Sequence, residues 1–346
     1  MPSDLMLVGD VGGTHSRFAT IAVTEAPWAV SHRLELTTDF PDLPAALRAY
    51  LDRSGLDRIP ECAVIAAAGP VTAGKVNLTN RALEIRAADL LHFGFERAKL
   101  INDFAALAFA ADRLGANDLH TIGPSVEGLP GQPISVIGPG TGLGVSCLVH
   151  ESGRAIALAT EGGHISFAPT DDQQMAVLST LEQRFGRVSV EHILSGHGLQ
   201  ALHRTLEGFA GRPHHELSPE EISAAALSGD AASLATVSLF CSILGAVAGD
   251  IALAHGARGG VLIGGGIAPK IERLLHASPF RAAFERKGRM SPYMQAIPTK
   301  LIINPDATLI GAARAGLEAW SPGADSASQP LAPPMTTRAG TVGRQQ

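Results

Sequence analysis

An α/β layer architecture is the fold class this sequence predicts, and three observations predict it. In the first third, short apolar runs of strand length alternate with stretches whose apolar residues recur at helical spacing. Two Gly/Thr-rich loops, VGDVGGTHSR at residues 8 to 17 and IGPGTGLGVS at residues 137 to 146, each join one strand-like run to the next. A third glycine run, in VLIGGGI at residues 261 to 267, follows another buried strand and precedes a helix.

The elements follow in order. Leu5 to Val8 enters the first glycine loop and Phe18 to Val23 leaves it. Leu43, Leu47, Tyr50 and Leu51 share one helical face, and Gly55 stops that helix. Ala63 to Ala68 reads as a buried strand, and residues 85 to 97 as a helix. Lys99 to Ile101 is a short strand feeding a helix with Phe104, Leu107, Ala108, Ala111 and Leu114 on one face, so Asn102 and Asp103 sit at the junction. The Gly/Pro-rich loop at 123 to 133 is a candidate boundary before the second hairpin, Ile134 to Ile137 and Val145 to Val149. A helical middle comprises Met175 to Phe185, Val190 to Leu194 running into Gln200 to Phe209, Pro219 to Leu227, and Ala231 to His255; a further helix begins near Pro269. From Ser321 the composition turns to Pro, Ser, Gly, Ala and Gln, and residues 321 to 346 read as a loose tail.

Bulk properties exclude several classes. With 346 residues, 45% apolar and 17% charged, the chain has material for about two domains with sizeable cores. A net charge of −6 without a basic run gives no footprint for nucleic acid. Cys62, Cys147 and Cys241 are scattered and odd in number, against a disulfide framework and in keeping with a cytoplasmic location. The N-terminus lacks the charge and apolar pattern of a signal peptide. Ala231 to Gly249 is uncharged, but its Ser, Thr and Gly content favours a buried helix over a membrane span, so no membrane partner is expected.

Glycines without Cβ let backbone N–H groups turn toward a bound anion, and a Thr hydroxyl donates alongside them. Two such hairpins suggest a polyphosphate clamp, with Asp10 beside the first as a metal partner; ordinary hairpin turns also want glycine. The chain has no GxxxxGK[ST], and GPGTG continues into a strand instead of opening a helix, which excludes a P-loop and counts against a dinucleotide-binding turn. Among polar constellations, Asn102-Asp103 has two readings: a carboxylate aimed into a cleft to accept a proton, or a helix N-cap worth about 1 kcal/mol. In Glu161-Gly162-Gly163-His164 the glycines forbid a stable helix, so Glu161 and His164 project from a turn, suited to sugar hydroxyls or simply solvated. Glu191 is either a further hydroxyl acceptor or a residue complementing a helix dipole. His214-His215 lies in a surface loop.

DVGGTHSR (10 to 17), INDFAALA (101 to 108), GPGTGLGVS (138 to 146), EGGHISFAP (161 to 169), EHILSGHGL (191 to 199) and GGVLIGGGIAPK (259 to 270) together resemble bacterial glucokinases of the actin-like sugar-kinase superfamily. The resemblance covers roughly residues 5 to 318. It implies a two-domain actin-like, ribonuclease H-like fold with an inter-domain cleft. The small domain is residues 1 to 113, rejoined by a C-terminal helix at about 309 to 320, and the large domain is residues 114 to 308. It further implies phosphorylation of D-glucose by ATP with Mg²⁺, with Asp103 as general base on the sugar 6-hydroxyl. Asn80, Asn102, Asp103, Glu161, His164 and Glu191 would hold the sugar. Gly12, Gly13, Thr14, Gly140, Thr141 and Gly142 would hold the phosphates, with Asp10 near Mg²⁺, and Gly264, Gly265 and Gly266 would border the adenosine. A homodimer also follows from the resemblance alone. The HxCGCxxGC motif of the repressor, open-reading-frame and kinase branch is missing, which places the chain in the zinc-free branch, and His197 stands where that family has proline. The nearest alternative is a kinase for fructose or mannose; a sugar-sensing regulator would need a DNA-binding module ahead of Asp10.

Overall fold

The computed structural model describes residues 5 to 12, 15 to 24, 28 to 37, 40 to 78, 83 to 212 and 216 to 321. The first part contains strands β1 (Leu5–Val11), β2 (His15–Ala22) and β3 (Val30–Thr37), helix α1 (Leu43–Ser54), strands β4 (Cys62–Ala67), β5 (Val71–Thr72), β6 (Lys75–Asn77) and β7 (Glu84–Arg86), helix α2 (Ala87–Phe93), strand β8 (Arg97–Asn102) and helix α3 (Asp103–Ala110). Next come β9 (Leu119–Thr121), β10 (Ile134–Pro139), β11 (Leu143–Glu151) and β12 (Arg154–Thr160). Helices α4 (Asp172–Phe185), α5 (Gly196–Phe209), α6 (Pro219–Leu227) and α7 (Ala231–His255) precede β13 (Gly260–Ile263). Then α8 (Glu272–Ala277), α9 (Phe280–Glu285), α10 (Ser291–Gln295), β14 (Thr299–Ile302) and α11 (Ala307–Trp320) complete the chain.

Two sheets repeat one plan. The first has the order β3-β2-β1-β4-β8, and the second β12-β11-β10-β13-β14 with β9 added at its edge. In each, two antiparallel pairings are followed by two parallel ones, β1 with β4 and β4 with β8, or β10 with β13 and β13 with β14. The echo of two glycine hairpins in the sequence is therefore the β1/β2 and β10/β11 turns of two topologically equivalent halves. α3 follows β8 as α11 follows β14, and these two equivalent helices pack on each other between the sheets.

Burial explains the continuous apolar runs. On β1, Leu7 faces α1 in a core with Phe18, Leu47, Tyr50 and Ile65, while Met6 and Val8 face a second core with Ala106, Leu309, Val136 and Leu262. The outer face of the second sheet is covered by a third core that includes Ile137, Leu244 and Phe284. α7 is long and apolar enough to cross a membrane, but 72% of its most apolar stretch is buried inside this fold. Its ends are set by Asp230, which accepts from Ser233 N–H at 2.8 Å, and by Gly256 in the left-handed region (φ +61°).

Some expectations are corrected. The helix expected over 85 to 97 spans only Ala87–Phe93, because buried Ile85 pairs with Val76 in the small β5-β6-β7 sheet and Gly94 (φ +123°) ends the helix. β9 pairs with β14, so the chain has already joined the second sheet before the loop at 123 to 133. The turn at Glu191 is a 3-10 turn (Val190–His192), separate from α5, which starts at Gly196 under a Ser195 cap. Gly13, Thr14, Asn80, the His214-His215 loop and the tail from 322 lie outside the described residues.

Candidate active site

Parallel strands end together here. Val11, Ala67 and Asn102 stand in register across β1, β4 and β8, and β10 and β13 run alongside each other into Pro139 and Gly264. Ligands of open α/β sheets collect at such carboxyl ends. Asp10 and Asp103 come from the first sheet's edge of this region, and the second and third glycine runs from the other.

The two readings of Asn102-Asp103 divide between the two residues. Asn102 is the N-cap of α3: its Oδ1 accepts from Phe104 N–H at 2.9 Å and Ala105 N–H at 3.1 Å, and its Nδ2 donates to Gly69 O at 3.2 Å. One amide hydrogen of Asn102 remains for a ligand. With the cap supplied, Asp103 occupies the first helical position, where its Oδ1 accepts from Phe104 N–H at 3.0 Å. The Asp103 carboxyl is lifted to about 7: burial is the largest cause, the Asp10 charge adds to it, the backbone N–H groups of Phe104 and Asp103 oppose it, and Glu161 adds a smaller upward push. A carboxyl poised near neutrality is what general base work at cellular pH requires.

Asp10 is paired with Arg17, whose other guanidinium nitrogen donates to Pro305 O at 2.6 Å. Burial raises the Asp10 carboxyl above its ordinary value and Arg17 opposes that rise. Arg17 belongs to the quoted DVGGTHSR run, yet only the antiparallel register that sets it opposite Asp10 reveals its role.

The glycine loops meet backbone to backbone. A Cβ on Gly138 would lie 2.7 Å from the Gly264 carbonyl carbon and from Gly265 N, and one on Gly265 (φ +79°) would overlap Pro139 O. Ile267 N–H donates to Pro139 O at 3.1 Å, and Gly140 N–H to Gly142 O at 2.8 Å, closing the second hairpin around Thr141. In the first hairpin Gly12 N–H donates to His15 O at 3.0 Å. Thr141 and Gly266 are exposed, and nothing stands within 4 Å of a Cβ on Gly266, so the surface between the runs is open to a ligand.

On the acceptor side, Gly162–His164 is a single 3-10 turn packed on β11, since a Cβ on Gly163 would overlap Leu143 O. His164 Nε2 is 3.8 Å from Glu161 Oε2, and its Nδ1 is 3.8 Å from Glu191 Oε1. The three predicted residues thus form one polar row. Glu161 and His164 are exposed, whereas Glu191 is half-buried and its Oε2 accepts from Leu143 N–H at 2.8 Å. Phe104, next to Asp103, lies against Gly144, where a Cβ would overlap its ring; this contact locks the start of α3 onto the second hairpin and was invisible in the sequence. Beside Thr141 and Glu191 opens a cavity of about 530 Å³, also lined by His192, His197 and Arg204.

Comparison with known proteins identifies the family of the chain. The glucokinase family model matches residues 7–319. A glucokinase of Caulobacter vibrioides is 47% identical over 313 residues, covering 89% of this chain and 94% of that protein. The crystal structure of a glucokinase from an Antarctic psychrotroph is 37% identical with a TM-score of 0.82, covering 90% of this chain and 98% of that one. A ROK-family glucokinase from Streptomyces griseus, crystallised with glucose and AMPPNP, is 21% identical with a TM-score of 0.62 over 90% of this chain and 99% of that one, and shares its actin-like α/β fold. Strand ends bearing a neutral-range carboxyl, facing a pair of glycine runs within that fold, thus have a family: this chain belongs to the glucokinases, enzymes that phosphorylate glucose with ATP.

Proposed function

We propose that Asp103 is the base of this phosphoryl transfer. Its carboxylate accepts the proton of the glucose 6-hydroxyl as that oxygen bonds to the γ-phosphorus of ATP and the bond to the β-phosphate oxygen breaks, giving ADP and glucose 6-phosphate. The observation that carries this role is the Asp103 carboxyl itself, freed from capping by Asn102 and lifted, chiefly by burial, to about 7. The remaining amide hydrogen of Asn102, together with Glu161, His164 and Glu191, holds the other hydroxyls; Asn80 is assigned there on resemblance. Inverted or missing hydroxyls would strand these partners, which is how such a site discriminates sugars.

Gly12, Gly13, Thr14, Gly140, Thr141 and Gly142 hold the phosphates, and Gly264 to Gly266 border the adenosine. Most of the catalysis in a loose phosphoryl-transfer transition state is positioning and charge stabilisation. Asp10, a half-buried carboxylate that pairs with Arg17 and lies near Asp103, would help to hold Mg²⁺ beside the phosphates; among the described residues no cluster of three or more His, Cys, Asp or Glu could hold a metal by itself. Bound there, Mg²⁺ supplies neutralisation of the phosphate charge. We assign residues 1 to 113, with the helix at 309 to 320, to one domain and residues 114 to 308 to the other; closure of the cleft between them would keep water from the phosphoryl group. A cytoplasmic homodimer completes the reading; the three free, buried cysteines support a reducing compartment.

The assignment is tested by coupled measurement of ADP and sugar phosphate over a panel of hexoses. Glucose is expected to give the highest kcat/KM and EDTA to abolish turnover; a preference for fructose or mannose would overturn the acceptor assignment. Gly265→Ala is expected to raise the ATP KM by about 10²-fold, because its Cβ forces the two glycine runs apart. An unchanged ATP KM in that variant would remove Gly264 to Gly266 from the nucleotide site.

A further inference from the structure

The second glycine hairpin is fastened at both ends to one short segment. Gly196 N–H donates to Gly140 O at 2.8 Å, and on the far side of Thr141-Gly142 the Leu143 N–H donates to Glu191 Oε2 at 2.8 Å. The segment is itself braced, since Ser195 Oγ donates to the Glu191 carbonyl oxygen at 2.8 Å and accepts from Gly198 N–H at 3.0 Å. These two crossing bonds bracket Thr141 and Gly142, two of the three residues of this hairpin assigned to the phosphates. Leu143 is buried, and the carbonyl oxygen of Pro139, its register partner across the hairpin, accepts instead from Ile267 N–H at 3.1 Å, so the Leu143 N–H finds its acceptor in Glu191. Gly142 makes the fastening sterically feasible: a Cβ there would stand 2.5 Å from Glu191 Oε2.

The other carboxylate oxygen faces away. Glu191 Oε1 is 3.8 Å from His164 Nδ1, in the row that continues to Glu161. We infer that Glu191 is a positioning residue for the ATP hairpin as well as a sugar ligand: Oε2 holds Leu143 and thereby the Thr141-Gly142 phosphate loop, while Oε1 serves the sugar. This rests on the assignment of Glu191 to the acceptor site made above. One carboxylate then links the two substrates, and sugar bound at Oε1 steadies the loop through Oε2. It also gives Gly142 a reason beyond phosphate contact, since its missing side chain leaves the seat of Glu191 vacant.

Steady-state kinetics on Glu191→Ala, Glu191→Gln and Gly142→Ala separate the two roles. Glu191→Ala is expected to raise both the glucose KM and, at saturating glucose, the ATP KM, each about tenfold, the scale of losing one charge-assisted hydrogen bond. Glu191→Gln keeps a carbonyl oxygen for Leu143 N–H, so the ATP KM is expected to return to within about threefold of wild type while the glucose KM stays raised, which also shows that the fold survives. Gly142→Ala, though on the phosphate loop, is expected to raise the glucose KM by displacing the carboxylate. The double variant Gly142→Ala, Glu191→Ala should be no worse than the poorer single. If Glu191→Ala raises the glucose KM alone, the fastening to the hairpin is overturned and the sugar role stands. If neither Glu191 variant moves the glucose KM, the acceptor-site assignment itself fails.

Discussion

Asp103→Asn is expected to lower kcat by about 10²- to 10⁴-fold, the usual contribution of a positioned base, while the protein remains folded. Asn is a good residue for a first helical turn, and the cap of α3 is held by Asn102, so the loss cannot be charged to capping. The same substitution is expected to stabilise the protein at alkaline pH. In the unfolded chain this carboxyl ionises near 3.8, whereas in the folded protein it keeps its proton up to about 7. Between those values the folded state binds more protons than the unfolded one, so stability falls as pH rises from about 4 to about 7 and stays lowered above. The effect is worth at most about 4 kcal/mol. Asn carries no such cost, so thermal unfolding at pH 8 should show the variant melting above wild type, with the gap narrowing at pH 5. A variant that melts below wild type at pH 8 would contradict the burial of an ionised Asp103.

Gly311→Ala should be the most damaging single-methyl change in the core. Gly311 lies where α11 crosses α3, and a Cβ there would overlap Ala106 O and stand 2.6 Å from the Ala106 carbonyl carbon and 3.0 Å from Ala110 N. These are backbone atoms of α3, so no rotamer change relieves the clash and the helices must separate. Overpacking costs about 1–3 kcal/mol where side chains give way, and this site belongs at or above the upper end. A fall in Tm of roughly 4–6 °C is expected. Because α3 carries Asp103 at its first turn, kcat should fall as well. Gly208→Ala, at an exposed position of α5, is the control: nothing lies within 4 Å of its Cβ, so the added methyl should be neutral or stabilise by up to about 1 kcal/mol. A Gly311→Ala protein that melts with wild type would show that the α3–α11 crossing is looser than described.

What could be read in advance followed burial. β1, β4, β10 and β13 are covered on both faces, so they appear in the sequence as unbroken apolar runs, and the glycine hairpins beside them stand out. β3 and β12 are edge strands with largely exposed residues, and neither announces itself by alternation. The division of labour within Asn102-Asp103 was beyond reach, because both residue types cap helices; only the bonds from Asn102 to Phe104 and Ala105 show which one does. Glu191 and Leu143 are 48 positions apart, and no local spacing signals their contact. Gly311 in the middle of a helix reads as a mild defect until the opposing backbone is seen. Gly13, Thr14 and Asn80 still rest on resemblance, since they fall outside the described residues.

The pH profile of kcat/KM for glucose, with ADP and glucose 6-phosphate measured in the same reaction, tests the assignment of Asp103 most directly. The wild type should lose activity as pH falls through about 7, because protonated Asp103 cannot accept the 6-hydroxyl proton, and the residual activity of Asp103→Asn should lack that limb. A wild-type profile flat from about pH 5.5 to 8.5, or a limb that persists unchanged in Asp103→Asn, would contradict Asp103 as the base.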